Sequence, residues 1–170
     1  SLGWRIDKDF FKESDVINSW MLRLGYGFVG DQEIPNFGYL ELIGLEYNYP
    51  FGNVSQLGGA TVSLGNENLQ WATSNQIDIG TDISFFQGKL KFIVDYFQKT
   101  TENMLLKISI PSSSGYANAP VFNSGKVLNS GFEFEVDYNN RISEDFSYSI
   151  KGNAALLRNE VLELDAPILG

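Results

Sequence analysis

Glu133, Glu135 and Asp137 stand two residues apart. On an extended strand that spacing puts them on one face, with neighbouring carboxyls about 6.5–7 Å apart. This just reaches the ~6.5–9.5 Å at which an inverting glycosidase holds its acid and base. Only carboxylate chemistry of this kind is left open, because the 170 residues include no histidine and no cysteine. Their absence removes the commonest general base and metal ligand, along with disulfide frameworks, thiolate zinc sites and Cys nucleophiles. A Ser-His-Asp triad is excluded. The plainer reading of the three acids is a solvated stripe, so no catalytic residue, metal ligand or cofactor is assigned. Gly25-Tyr26-Gly27-Phe28-Val29-Gly30 fits G-x-G-x-x-G, but the dinucleotide motif must open a helix. The next residues, Asp31-Gln32-Glu33-Ile34-Pro35-Asn36, are loop-forming. Twelve Lys and Arg against 21 Asp and Glu give a net charge of −9, the wrong sign for gripping phosphate backbones, and nucleic acid is not an expected partner.

The remaining chemistry is aromatic. The segment Gly30–Gln70 carries Phe37, Tyr39, Tyr47, Tyr49 and Phe51, with Trp71 just beyond it. Loops of about 40 residues are uncommon unless functional or disordered. Tyr and Trp rings stack on sugar faces or peptide side chains and add a hydrogen-bonding tip. Tyr39, Tyr47, Tyr49 and Trp71 are therefore candidate contact residues, the alternative being that they pack the loop against its neighbours.

The elements that must position these residues show a period of two, not 3.6. Five segments alternate: Trp20–Val29, Gln76–Phe85, Leu90–Phe97, Asn129–Tyr138 and Phe146–Leu157. One face of each (Leu22 and Leu24, Ile77 and Ile79, Phe92 and Val94, Phe132 and Phe134, Tyr148 and Ile150) is free of charge. The opposite faces carry Arg23, Asp78, Asp82, Lys91, Asp95, Glu133, Glu135, Asp137 and Lys151. The chain is all-β.

Alternation alone suits a soluble, lipocalin-like barrel with its apolar face inward, or an outer-membrane barrel with that face toward lipid and the charges toward the lumen. Three features favour the membrane. Four of the five segments have 10 or 12 residues, enough for the ~9–11 of a tilted crossing. Connections alternate between tight (Gln87-Gly88, Asn139–Asp145) and long (Gly30–Gln70, Gln98–Lys126), as periplasmic turns and extracellular loops do. Trp20, Phe85, Tyr138 and Phe146 gather beside the tight connections, as an interfacial girdle requires. Arg23, Asp78, Asp82, Glu133 and Glu135 are then expected to line the lumen. Ser19–Gly30, Lys89–Thr101 and Phe146–Asn159 should run outward and Trp71–Phe86 and Lys126–Tyr138 inward, neighbours pairing antiparallel, with no long helix in these spans. Ser1-Leu2-Gly3-Trp4-Arg5 lacks the basic start and apolar core of a signal peptide, and the chain reads as an excerpt of something longer.

Ordered blocks along nearly the whole chain resemble the SusC/RagA-like TonB-dependent outer-membrane transporters of Gram-negative bacteria. Gly3-Trp4-Arg5-Ile6 followed by Phe10-Phe11 resembles that family's strand end and acidic periplasmic turn. Leu22-Arg23-Leu24-Gly25-Tyr26-Gly27 with Gly30-Asp31-Gln32 resembles its "LR-x-SYG-x-TG-N-Q" block, with Gly25 for Ser and Asp31 for Asn. Asn68-Leu69-Gln70-Trp71 is similar to "N-x-x-L-x-W-E", with Ala72 where Glu is usual. Val94-Asp95-Tyr96-Phe97, Lys99-Thr100-Thr101 and Leu105-Leu106 resemble "V-D-Y-Y-x-K-x-T-x-D-L-L". Ile110-Pro111 before Ser114-Gly115-Tyr116, Gly125-Lys126-Val127 through Asn129-Ser130-Gly131-Phe132-Glu133, and Asn159-Glu160-Val161 match three further blocks.

The resemblance implies a 22-stranded barrel around an N-terminal plug. Residues 1–170 would supply about six antiparallel strands and their long extracellular loops, the plug and final strand lying elsewhere in the protein, and the last residues, Pro167-Ile168-Leu169-Gly170, do not give a barrel's usual aromatic end. It also implies uptake of oligosaccharides or peptides across the outer membrane. A SusD-like surface lipoprotein would close the mouth, the TonB complex would supply energy, and the Gly30–Gln70 aromatics would meet substrate or lid. In such a bacterial protein the Asn53-Val54-Ser55 match to a glycosylation acceptor carries no meaning.

The face assignment has a direct test. Ile79→Arg or Phe92→Arg should destabilise a barrel carrying this segment by about 2–4 kcal/mol if the site is near the bilayer midplane, whereas Asp78→Asn should cost little. Urea-folding measurements in liposomes would separate the two faces, and equal tolerance at both would refute the assignment.

Overall fold

In a computed structural model of the chain, residues 1–12 and 14–164 are described. The last residues, Pro167-Ile168-Leu169-Gly170, read above for their lack of an aromatic end, fall outside them. Among the described residues lie β1 (Leu2–Arg5), α1 (Ile6–Phe10), β2 (Ile17–Asp31), β3 (Leu42–Gly44), β4 (Tyr49–Phe51), β5 (Val54–Gln56), β6 (Ala60–Ser63), β7 (Ala72–Phe85), β8 (Leu90–Lys107), β9 (Val121–Arg141) and β10 (Ser147–Leu164), with one turn of 3₁₀ helix at Ser112–Ser114. β1, β2, β7, β8, β9 and β10 form one six-stranded antiparallel sheet in that order. Two small antiparallel pairs, β3 with β6 and β4 with β5, occupy the long segment between β2 and β7. No described helix is long and apolar enough to cross a membrane.

All five alternating segments lie almost wholly in strands; Gln87-Gly88 lies in the β7–β8 turn, and the tight connection read as Asn139–Asp145 moves to residues 142–146 because β9 runs to Arg141. The strands are longer than the alternation indicates. β8 has 18 residues and β9 has 21, about twice what a tilted bilayer crossing needs. The connection read as Gln98–Lys126 therefore shrinks to residues 108–120. Period-two patterning ends where the two faces no longer differ in polarity, while backbone pairing continues beyond it. Phe146 sits in the turn before β10, its carbonyl accepting from Ile142 N at 3.0 Å.

The chain divides into two units. The first comprises residues 1–29, 74–100 and 128–160; the second comprises 30–73, 101–127 and the end from 161. In neither does a conventional core form. Ile6 is the one buried hydrophobic among the described residues, whereas Ile79, Phe132 and Ile150 are 48, 45 and 63% exposed. A soluble closed barrel would bury these side chains.

At the short-turn end of the first unit, the β7–β8 hairpin turns through Phe86, Gln87 and Gly88 at positive φ (53, 57 and 84°), a conformation that suits Gly88 best. Phe86 N donates to Val16 O at 3.0 Å, Asn139 N to Lys89 O at 2.7 Å, and Gln87 N to Asn18 Oδ1. Adjacent turns are thus stitched across the sheet. Aromatic rings crowd here, with Phe85–Phe92 at 6.0 Å, Tyr138–Tyr148 at 5.9 Å and Phe146–Tyr148 at 6.4 Å between centroids. Trp20 donates from Nε1 to Thr81 Oγ1 at 2.9 Å and lies 5.6 Å from Phe11. These groupings fit the expected girdle.

The turn between β1 and β2 is organised by buried Asp7. Its carboxylate accepts two hydrogen bonds of 2.7 Å from Arg5 Nε and Nη2 and one of 3.1 Å from Trp20 N. The Arg5 guanidinium is the main reason that this carboxyl is held well below the usual carboxylate range, with the Trp20 amide adding to it against the cost of burial. A lowered folded-state pKa stabilises fully above the unfolded value near ~4 and loses that contribution as pH falls through the folded value. The hydrogen-exchange protection factor of the Trp20 amide should accordingly be flat from neutral pH to about 4 and decline below it. In Asp7→Ala it should be low and nearly independent of pH, and an unchanged profile in that variant would refute the role given to Asp7.

Candidate functional site

Two groups of side chains stand out, one in each unit. On the charged face of the first unit, Arg23 of β2 donates to Asp82 of β7 (Nε to Oδ2 3.2 Å, Nη2 to Oδ1 3.0 Å) and to Asp95 of β8 (Nη2 to Oδ1 2.9 Å). The guanidinium reaches β8 by passing over Gly80. A Cβ there would fall 2.9 Å from Arg23 Nη2 and would also collide with Asp95 Oδ1, so any larger residue would push these two side-chain ends aside. Both aspartates are about one quarter exposed and Arg23 two fifths. In that half-dry setting one guanidinium between two carboxylates offsets a repulsion that they would otherwise exert on each other.

Further along the same sheet, Lys151 Nζ pairs with Glu135 at 2.6 Å. A groove of about 200 Å³ lies beside Asp95, Glu133, Glu135 and Asn153. Asp78 accepts from Gln76 Nε2 at 2.8 Å, and its side chain lies against Gly25. Of the residues expected in the lumen, Arg23 and Asp82 are therefore joined, Glu133 and Glu135 share the groove, and Asp78 stands apart with Gln76. The acids read as a possible catalytic stripe do not form an isolated pair, because Glu135 is tied to Lys151 and Asp137 accepts from Asn139 Nδ2 at 2.8 Å. Gly25 to Gly30 lie inside β2, so the glycine pattern opens no helix.

The second unit holds the aromatic segment, ordered by backbone geometry. β4 and β5 turn through Gly52 and Asn53, both at positive φ (60 and 64°), the two-residue hairpin for which Asn and Gly are best suited. Tyr47 N donates to Gly58 O at 3.2 Å, and the Tyr47 ring lies against Gly44. Tyr49 borders Gly58, and the Trp71 ring stands over Gly30. Tyr39, Tyr47, Tyr49 and Trp71 remain 46–53% exposed. The structure gathers Tyr47 and Tyr49 around Gly58, while among the described residues no ring contact links them to Tyr39 or Trp71. Tyr47 shows the packing role most clearly.

Polar links not legible in the pattern fasten this segment. Asn123 of β9 accepts from Gln70 N at 2.8 Å and donates from Nδ2 to Gln70 O at 2.7 Å and to Asn103 O at 2.8 Å. Asn66 Nδ2 donates to Val121 O at 3.2 Å. Val62 O accepts from Ala117 N at 3.1 Å and from Asn118 N at 2.9 Å, and Ser63 forms a bridge with Asn118. The two long connections are bound to each other. No three potential metal ligands converge among the described residues.

The family model described as "TonB dependent receptor-like, beta-barrel" matches residues 1–166. TonB-dependent receptor P39 of Formosa agariphila is 35% identical over 164 residues, which are 96% of this chain and 15% of that protein. TonB-dependent receptor SusC of Bacteroides thetaiotaomicron is 30% identical over 169 residues, 96% and 17% respectively. The chain thus spans roughly one sixth of the length of these curated relatives. Among solved structures, the RagAB peptide importer in its closed-closed state superposes with a TM-score of 0.83 at 25% identity, covering 98% of this chain and 18% of that one. The RagAB peptide transporter gives 0.80 at 25% identity, covering 95% and 17%.

The Arg23 crossing yields a test in a barrel carrying this segment. Gly80→Ala should destabilise it by about 1–3 kcal/mol, the usual cost of overpacking, measured by urea unfolding. In an Asp95→Ala background, where the collision is relieved, the same substitution should cost clearly less. Strict additivity of the two changes would mean that Asp95 does not lie over Gly80.

Proposed function

The chain belongs to the TonB-dependent receptor β-barrel family, and from that membership we propose that it supplies six wall strands, with their extracellular loops, to an importer of oligosaccharides or peptides. The family's members are transporters and not enzymes, and they reside in the outer membrane. The observation that carries the reading is the pairing of a charge-free, exposed sheet face with a charged opposite face, in a chain whose barrel fold is shared with RagAB. The first face meets lipid. The second lines the lumen through Arg23, Asp78, Asp82, Glu133 and Glu135. All of residues 1–170 belong to the barrel, and the plug and remaining strands are supplied by other parts of the protein.

On this reading the short turns are periplasmic and the segment between β2 and β7 lies outside the cell. There it meets substrate or a SusD-like surface lipoprotein that closes over the mouth. Energy comes from the TonB complex acting on the plug. RagAB is described as a peptide importer, which supports a peptide as one of the two substrate classes. The lipocalin-like alternative needs an inward apolar face, which the exposure of Ile79, Phe132 and Ile150 disfavours.

Tyr39, Tyr47, Tyr49 and Trp71 are the contact residues, acting by stacking and hydroxyl hydrogen bonds. Each stacking contact of this type contributes about 0.5–1.5 kcal/mol. Replacing Tyr47, Tyr49 and Trp71 together by Ala in the full transporter should lower uptake or lid association by roughly tenfold or more, with each measured separately. If both persist unchanged in a folded barrel, these aromatics serve only to pack the loop.

A further inference from the structure

Trp71 is placed by what happens at Gln70. The Asn123 side chain presents its amide edge to the Gln70 main chain, donating to the carbonyl at 2.7 Å and accepting from the N–H at 2.8 Å, as a neighbouring strand would. Its second N–H donates to Asn103 O at 2.8 Å. Asn103 adopts φ 57°, a conformation that Asn tolerates better than most residues. One side chain therefore holds the end of the long segment and a left-handed residue of β8 at the same time. Immediately after Gln70, the Trp71 ring lies 3.7 Å from the Cβ position of Gly30, where the segment leaves β2. The two ends of a loop of about 40 residues are closed on each other at one point, and closing so long a loop costs several kT of chain entropy that local bonds must offset.

The geometry points to Asn123 as a positioning residue for Trp71: its amide latch on Gln70 fixes the indole over Gly30 and so presents it in one orientation to whatever the transporter binds. This rests on the contact role proposed for Trp71, but the latch itself is measurable without a substrate. Stacking rewards a ring that is already ordered, because an immobile side chain loses less entropy on binding. Asn123 makes no contact with substrate in this account and acts through Trp71 alone.

The test uses the full transporter labelled with 5-fluorotryptophan, the Trp71 resonance being assigned through Trp71→Phe. Asn123→Asp keeps the acceptor for Gln70 N but replaces both donors with a carboxylate facing two carbonyls. Asn123→Ala removes the latch without adding charge and guards against a folding failure specific to the acid. Asn123→Ala should speed exchange of the Gln70 amide by about tenfold or more, the expected effect of losing one to two net hydrogen bonds, whereas Asn123→Asp, which keeps that acceptor, should speed it less. Both should also split, shift or broaden the Trp71 fluorine signal, while Lys126→Met, which breaks the nearby Lys126–Glu102 pair (2.8 Å), should leave that signal in place. An unaltered Trp71 signal in both Asn123 variants overturns the proposal, as does an equal disturbance by Lys126→Met. If instead the signal responds as expected but Trp71→Ala leaves uptake and lid association intact, the positioning role stands and the contact role of Trp71 falls.

Discussion

In hydrocarbon a backbone N–H or C=O has no water to turn to, and each unpaired one costs several kcal/mol. That constraint organises this chain. It explains why the membrane-length part is sheet and not loop, why neighbours in the sheet are also neighbours in sequence apart from the inserted small pairs, and why almost nothing is buried. A sheet that faces lipid on one side and a lumen on the other has its solvent supplied on both faces, so it needs pairing more than it needs a core. Side chains then specialise by face. The charge-free side can be broad and exposed, and the other side must neutralise its charges locally, as Arg23 does between Asp82 and Asp95 and Lys151 does with Glu135.

Outside the six-stranded sheet, the same chain solves the backbone problem by different means. The segment between β2 and β7 uses one short hairpin, β4–β5, enclosed in sequence by the β3–β6 pair, together with side-chain amides. Asn53 turns one hairpin, Asn66 and Asn123 substitute for strand partners, and Val62 joins the two long connections. Asparagine recurs because its side chain carries the same donor and acceptor as a peptide group. It can therefore close a pairing where no strand is available.

The wall was readable from sequence because lipid and lumen impose opposite demands at every second residue, which leaves a strong period over Ile77–Phe85 or Phe132–Tyr138. Strand ends were not. Residues 98–107 and 121–128 extend β8 and β9 where neither face need be apolar, so no alternation marks them. The candidate site was legible in part. Arg23 and Asp82 were identifiable as charges on one face, but their junction with Asp95 depends on the vacancy at Gly80, and a lone glycine within a strand gives no such signal. Asn123 was invisible for a similar reason: an Asn in Val121-Phe122-Asn123-Ser124 looks like any polar strand residue until its three hydrogen bonds, to Gln70 and Asn103, are known. Asn53 was noted for a modification sequence, whereas its contribution is a positive φ.

The stitches between the short turns, Val16 to Phe86, Asn18 to Gln87 and Lys89 to Asn139, have a bearing on how such walls diversify. A strand slipped by one residue turns every side chain to the wrong face, so a wall needs a datum from which its pairings are counted. Here that datum is set at one rim by bonds between consecutive turns. Changes in the length of the long connections leave those bonds, and the count of paired residues that starts from them, untouched, so a wall of this kind can exchange its long connections without turning its faces.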